Sequence, residues 1–372
     1  MSALTRPQPW TRWVRFTRFD AYIVRQFLLY LLFILGMFTV VIMVIDAADK
    51  MNQFWEQKLT LGQIFGDYYA NFLTYILNKF FPLYVFLAVV AFTARMSQSS
   101  EIIALLSSGT SFYRLLLPYV VTALMLAGFS YFLNAYIVPH STRDYQAFES
   151  RYLKSGQQTY AKNIHRKIDQ QSFLFLRNYN HFDRRAYEGT IEERTGNLLR
   201  RKLSFQLMEW IDSTKKWRLV VVTERYIDGE RETLVRRNQV DTTLKLSPSD
   251  LYRHENAAES LTMPELNEYI RLERERGSDF IKQLLLRREE RVAFAFATLI
   301  LTVIGFALSS QKRRGGIGLQ IGLGLLLAFT YLLLQNTATV LIGDAAPVWI
   351  AVWLPNVLFA AMAVGLIRVA PK

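Results

Sequence analysis

The side chains of this 372-residue chain that could do chemistry stand at the edges of long apolar runs, or inside them. Lys79 interrupts the run 64–94. A charge there is costly in a membrane, so this lysine is expected to face a cavity, a partner helix or a structural counter-ion. Lys50 follows the apolar run 27–45 in Ile45-Asp46-Ala47-Ala48-Asp49-Lys50. An ammonium at that depth either meets anionic phosphates or snorkels beside Asp46 or Asp49. Lys58 is a weaker candidate of the same kind. The segment Met96-Ser97-Gln98-Ser99-Ser100-Glu101-Ile102-Ile103-Ala104-Leu105-Leu106-Ser107-Ser108-Gly109 reads as a short amphipathic helix over 97–109. Ser99 or Ser100 is placed to cap it, Glu101 suits its first turn, and Gly109 suits its end. Ile102, Leu105 and Leu106 share one face, which makes the segment either a connector or a docking helix. Gly318 and Gly322 form a G-x-x-x-G that Gly324 extends, a spacing that lets helices approach closely.

No catalytic constellation or metal ligand set accompanies these residues. There is no cysteine, and His140, His165, His181 and His254 are widely spaced. No G-x-x-x-x-G-K-[ST] occurs, and Gly315-Gly316-Ile317-Gly318 lacks the lysine of such a loop. H-E-x-x-H and G-x-S-x-G are also missing. The expectation is a chain without catalytic residues, metal or cofactor of its own. The net charge of +13 is distributed by topology and does not point to nucleic acid.

The elements that must carry these residues are mostly membrane helices. A crossing takes about 20 apolar residues. Residues 27–45, a run within 64–94 broken at Asn78-Lys79 and carrying Pro82, and 115–138, closed by Pro139-His140, give three spans. Residues 292–309, 317–342 and 349–367 give three more. Lys and Arg mark one set of short loops: Arg6, Arg12, Arg15, Arg18 and Arg25, then Arg95 and Arg114, then Lys312, Arg313 and Arg314, and finally Arg368 and Lys372. Asp46, Asp49, Glu56, Asp67 and Asp344 mark the other set. The bias predicts cytoplasmic termini and an insert on the far side. The first span is too long for a signal peptide and is followed by no cleavage site. A bacterial inner membrane, with a periplasmic insert, suits this pattern.

The insert alternates as half-buried strands do, at 172–177, 203–208, 217–222 and 233–235, with a turn signal at Asp228-Gly229. A sandwich or open β-roll is expected rather than a nucleotide-binding α/β domain. From Met263 the pattern turns helical. The expected domains are an N-terminal membrane half (1–139, with the 97–109 helix), a β-rich domain (140–262), a helical connector (263–291) and a C-terminal membrane half (292–372).

The 96–109 loop, followed by Arg114-Leu115-Leu116-Leu117-Pro118, resembles the signature of the LptF/LptG permeases of lipopolysaccharide export. Similarity extends to Phe19-Asp20-Ala21-Tyr22-Ile23-Val24-Arg25-Gln26-Phe27-Leu28, to Leu246-Ser247-Pro248-Ser249-Asp250-Leu251 and to Leu261-Thr262-Met263-Pro264-Glu265-Leu266. Arg291 at the fourth span and the Ser309-to-Gly316 turn continue the match. Phe294-Ala295-Phe296 departs from it by lacking a proline common near the start of that span. The resemblance implies a membrane α-helical fold of six transmembrane helices (3+3) with an inserted periplasmic β-jellyroll-like domain. It implies an ABC half-permease that pairs LptF with LptG, binds an LptB-type ATPase dimer holding ATP and Mg, and passes lipopolysaccharide to an LptC-type bridge. By the same resemblance, 97–109 is the coupling helix, with Glu101, Ile102, Leu105 and Gly109 in it. Lys50 matches a basic position of the LptG branch, with Lys58 and Lys79 as further candidates, and Gly318 and Gly322 lie in a span that lines the lipid gate. Two rival readings are a permease for another lipid or lipoprotein, and a membrane-anchored periplasmic binding or structural protein.

Overall fold

The computed structural model describes residues 17–153, 160–169, 171–180, 183–196, 198–228, 231–244, 246, 248, 251, 255–275, 281–312, 315–341 and 346–369. Arg6, Arg12, Arg15, His181, Gly229, Ser247, Ser249, Asp250, His254, Arg313, Arg314, Asp344 and Lys372, all used above, lie outside them. The chain divides into two compact units. One comprises Met1–Asn52, Leu61–Thr142 and Leu286–Lys372, and the other comprises Gln53–Thr60 and Arg143–Leu285.

Among the described residues the helices lying wholly or partly in the first unit are α1 (Arg18–Glu56), α2 (Ala70–Lys79), α3 (Phe81–Gln98), α4 (Glu101–Ser107), α5 (Phe112–Phe132), α6 (Val138–Phe148), α8 (Ile281–Ser309), α9 (Gly316–Leu341) and α10 (Val348–Val369). The α7 label is kept for Met263–Glu275 in the second unit. Among the described residues six helical runs are long and apolar enough to cross a membrane: α1, α3, the run from Phe112 to Leu153, α8, α9 and α10. The helix α3 is the most enclosed. Its Tyr84, Phe86, Val89 and Val90 pack among Phe27 of α1, Tyr119 of α5, Leu301 and Phe306 of α8, and Tyr331 of α9.

The polar pair Asn78-Lys79 and Pro82 do break the second apolar run. The helix stops at Phe80 (φ −111°, ψ 14°) and restarts as α3 with Pro82 in its first turn, where a missing N–H costs nothing. The third run, by contrast, does not close at Pro139-His140. A wide π-turn at Leu133–Ile137 precedes Pro139, and helix continues to Phe148 and a second π-turn, Glu149–Leu153. Widening the ladder there lets the helix pass a residue that cannot donate to it. The last part of the expected helical connector, residues 281–291, is continuous with the fourth span in α8, which runs unbroken through Phe294–Phe296. Across these helices Tyr331 donates to Asn356 Oδ1 and Asn356 Nδ2 donates to the Ala293 carbonyl, each at 2.9 Å. Such a relay satisfies polar groups where no water can.

In the second unit six antiparallel strands pair in chain order: β1 (Tyr160–Lys167), β2 (Ser172–Asn180), β3 (Arg185–Thr195), β4 (Leu198–Ile211), β5 (Lys216–Asp228) and β6 (Arg231–Thr242). This meander is consistent with a jellyroll-like domain. Its strands β1 and β3 were not singled out from the sequence. More than half of the residues in each are charged or polar, and β3 buries little beyond Ala186, Gly189 and Ile191.

The buried face does not follow a simple period of two. Burial steps by three from Leu176 to Tyr179, Ala186 to Gly189, Phe205 to Met208 and Leu219 to Val222. The strand register sets the skipped residues Arg177, Glu188, Gln206 and Val221 in one row across β2–β5. Glu188 (φ 52°) and Val221 (φ 54°) take the left-handed conformation there. The row is a crease that re-aims β2 to β5 toward one core. Gly189 beside it must be glycine, since a Cβ would stand 2.5 Å from the Phe205 ring and 2.7 Å from the Phe175 carbonyl. Trp217, fully buried, donates its indole N–H to the Leu246 carbonyl at 2.7 Å, and Leu246 and Leu251 complete the core.

Beyond the apolar part of this face sits a buried carboxylate, Glu224. It accepts from Tyr226 OH at 2.6 Å and Arg201 at 3.1 Å, with Arg237 at 3.7 Å. Burial pushes its carboxyl up, but the Tyr226 and Arg201 hydrogen bonds and the Arg201 and Arg237 charges outweigh burial and hold it below the ordinary 4.5. A lowered folded value means the stabilisation is fully present above the ordinary range and is lost as pH falls through the lowered one. The strand signal in circular dichroism should therefore show an unfolding midpoint that declines below a pH of about 4.5. Glu224→Gln should be less stable at neutral pH and flatter on the acid side. Identical acid branches for variant and wild type would refute the assignment.

Candidate functional site

The segment expected as a 97–109 helix is built in two parts. Ser97 and Gln98 are the last turn of α3, and the new helix α4 covers Glu101–Ser107 only. The corner between them is Ser100, in the left-handed conformation at φ 63°. Neither serine caps α4 in the expected way. Ser100 makes no capping hydrogen bond, and Ser99 Oγ donates to the Glu101 carboxylate at 2.7 Å. At the other end Gly109 (φ 84°) closes the helix as expected: its N–H reaches the Leu106 carbonyl and that of Thr110 reaches Leu105. The amphipathic reading holds residue by residue. Ile102 is 2% exposed and packs with the helix core, and Leu105 and Leu106 pack against it. Glu101, Ile103, Ala104, Ser107 and Ser108 face outward.

Three ties that sequence reading did not find hold this corner. Ser97 Oγ donates to the Ser310 carbonyl at 3.2 Å, and Lys312 Nζ donates to Ser100 Oγ at 3.0 Å. Arg114, in the first turn of α5, makes a two-pronged ion pair with Asp20 of α1 at 2.5 and 2.7 Å. Thr17 N–H and Oγ donate to the same carboxylate at 2.7 and 2.8 Å. The partners are separated by 94 to 213 residues in the chain, so no local spacing announces them.

The basic candidates divide. Lys50, on α1, contacts the Asp46 carboxylate at 3.1 Å and hydrogen-bonds the Tyr68 hydroxyl, which itself donates to Asp46 at 3.0 Å. Its ammonium lies 5.0 and 5.5 Å from the ring centroids of Tyr68 and Phe72, which stack on each other. The counter-ion is thus Asp46, and the aromatic partners come from the π-turn Gln63–Tyr69 and α2. Lys58 is an exposed turn residue at φ 52°, its N–H bonded to the Trp55 carbonyl at 3.0 Å. Lys79 is exposed at the end of α2 and donates to Tyr75 OH at 3.2 Å, lying over that ring. Among the described residues Lys79 has no carboxylate partner. It lines a small apolar recess with Phe80, Pro82, Leu83 and Tyr331.

Among the described residues Gly318 and Gly322 have no close packing partner, since nothing lies within 4 Å of a Cβ added at either. The close approach is made by Gly324 instead, whose added Cβ would stand 3.1 Å from Val90 of α3. Among the described residues no group of His, Cys, Asp and Glu could hold a metal.

Among the described residues, six apolar helices and an antiparallel sheet inserted in the chain between the third and the fourth of them define a multi-pass membrane protein with an extramembrane domain. Residues 21–369 match the lipopolysaccharide export system permease LptF/LptG, and the chain belongs to this family. It is accordingly a permease subunit of an ABC transporter for lipopolysaccharide export, and not an enzyme. None of the curated proteins matches it.

Proposed function

We propose that this chain is one half of the transporter. It pairs with a paralogous LptF- or LptG-type half-permease on an LptB-type ATPase dimer and hands lipopolysaccharide to an LptC-type bridge. Both termini face the cytoplasm and the sheet faces the periplasm. ATP and Mg belong to the ATPase, as expected for a chain without a phosphate-binding loop. The helix α4 is the docking element, and closure of the ATPase dimer moves it and collapses the cavity between the half-permeases. The observation that carries this is its two-sidedness: Ile102 is rooted in the helix core while Glu101, Ile103 and Ala104 face outward. A surface that is anchored on one side and exposed on the other transmits a push.

Lys50 is the residue proposed to meet a lipid phosphate. The phosphate replaces Asp46 as its counter-ion, and Tyr68 and Phe72 hold the ammonium in place. Gly318 and Gly322, exposed among the described residues, are proposed to face the partner half-permease or the lipid gate. Lys58 and Lys79 are secondary basic contacts.

The test is ATP hydrolysis by this chain co-expressed with its paralogue and the ATPase, reconstituted with and without lipopolysaccharide. Stimulation by that lipid is the expected result. A stable complex indifferent to lipopolysaccharide but stimulated by another lipid or a lipoprotein would transfer the cargo assignment to that molecule. Absence of any ATPase binding by a folded preparation would reject the docking role.

A further inference from the structure

The α8–α9 turn is more heavily tied than a connector between two helices requires. Helix ends leave carbonyls without intrahelical partners. Here Gln320, fully buried in α9, donates its side-chain N–H to the Gln311 carbonyl at 2.7 Å and more weakly to Ser309 at 3.5 Å. Ser310 Oγ turns back to the Ala307 carbonyl at 3.1 Å. The turn so fixed presents two groups to the α3–α4 corner: the Ser310 carbonyl, taken by buried Ser97, and the Lys312 ammonium, taken by Ser100. Ser100 occupies a conformation that a residue with a Cβ adopts only when its surroundings hold it. The seven-residue α4 has one fully buried side chain, and a helix that short does not fix its own direction. One turn below, Phe306 of α8 packs on Phe112 and Tyr119 of α5 at 5.1 and 4.8 Å. The corner is therefore tied to the end of α8, and α5, which follows α4, is packed on the same helix.

We infer that the α8–α9 turn is a clamp that sets the direction of α4, with Gln320 and Lys312 as its positioning residues. The inference rests on α4 being the docking element, and it adds that a push on α4 reaches the last three spans directly through Ser310, Lys312 and Gln320.

The chain has no cysteine, so Ser107→Cys gives a single site for a nitroxide label on the exposed side of α4. In the full chain reconstituted in nanodiscs, the immobilised component of the label's spectrum should be lost in Gln320→Leu and in Lys312→Ala. It should return in Lys312→Arg, which restores a long cationic donor. In the complex with paralogue and ATPase, the same variants should lose lipopolysaccharide stimulation while keeping the wild-type KM for ATP. Lys312→Ala alters an exposed side chain, so it decides the matter even where Gln320→Leu fails to fold. An unchanged spectrum in Lys312→Ala overturns the clamp. If the wild-type chain binds no ATPase, the docking role fails by that result, and the spectrum alone still supports or overturns the clamp.

Discussion

Glu101→Lys is expected to reduce lipopolysaccharide-stimulated ATP hydrolysis by the reconstituted complex about tenfold or more, the equivalent of at least ~1.4 kcal/mol of lost coupling. Two effects act together. Glu101 is exposed in the first turn of α4, where its charge favours the helix N-terminus, and it accepts from Ser99 Oγ. Lysine reverses the sign against that dipole and removes the acceptor. A reversed charge at an interface also opposes whatever complementary charge the ATPase presents. Glu101→Gln separates the contributions, because it keeps the acceptor and the shape and removes only the charge, so an intermediate loss is expected. Wild-type stimulation in the charge-reversed variant would remove Glu101 from the docking role.

The second large effect is on stability. Arg114→Ala should lower the stability of the full chain in detergent by about 3–5 kcal/mol, the usual consequence of leaving a buried carboxylate unpaired. Asp20 is 2% exposed, and Arg114 supplies both prongs of its ion pair. Thr17 remains as a donor after the substitution but carries no charge. The double variant Asp20→Asn, Arg114→Met should recover much of the loss, because it removes both charges rather than stranding one. The measurement is the thermal unfolding midpoint of the three forms. Equal midpoints for Arg114→Ala and wild type would show that the pair is solvated and holds nothing.

Much of the architecture is legible from one sequence because the membrane imposes long-range uniformity. An apolar run of span length can hardly be anything but a crossing, and the polar break at Asn78-Lys79 with Pro82 marks a helix interruption. The errors occur where local chemistry admits two continuations. Pro139 ends helices in water but is passed here by a π-turn, so the third helix runs on past the expected stop. Strand β3 hides because its buried positions are few and mostly small, and β1 because charged and polar residues dominate its sequence. The crease hides for a different reason: a one-residue shift in alternation, at Arg177, Glu188, Gln206 and Val221, looks in each strand alone like a strand ending.

The candidate site was legible only in its local half. The amphipathic face of α4, Gly109 and the possible pairing of Lys50 with Asp46 are all separations of a few residues. Tyr68 beside Lys50, Lys312 beside Ser100 and Asp20 beside Arg114 are products of packing. Asp20 and Arg114 each have an ordinary local reading, as a first-turn acid and a loop-flanking base, and neither names the other.

The order of the strands has a consequence for biosynthesis. Each of β1 to β6 pairs only with its neighbours in the chain, so no strand waits for a distant partner. Loop closure between neighbours is cheap and quick, which lets such a sheet zip up as it is made. Leu246 and Leu251, which finish its core, emerge directly afterwards. At ribosomal rates of about 5–20 residues per second, the interval from the end of β6 to the end of α10 is on the order of ten seconds. The sheet can therefore be a finished, protease-resistant body while α8 to α10 are still being synthesised. Truncating the chain after residue 291 would then be expected to leave a folded insert behind.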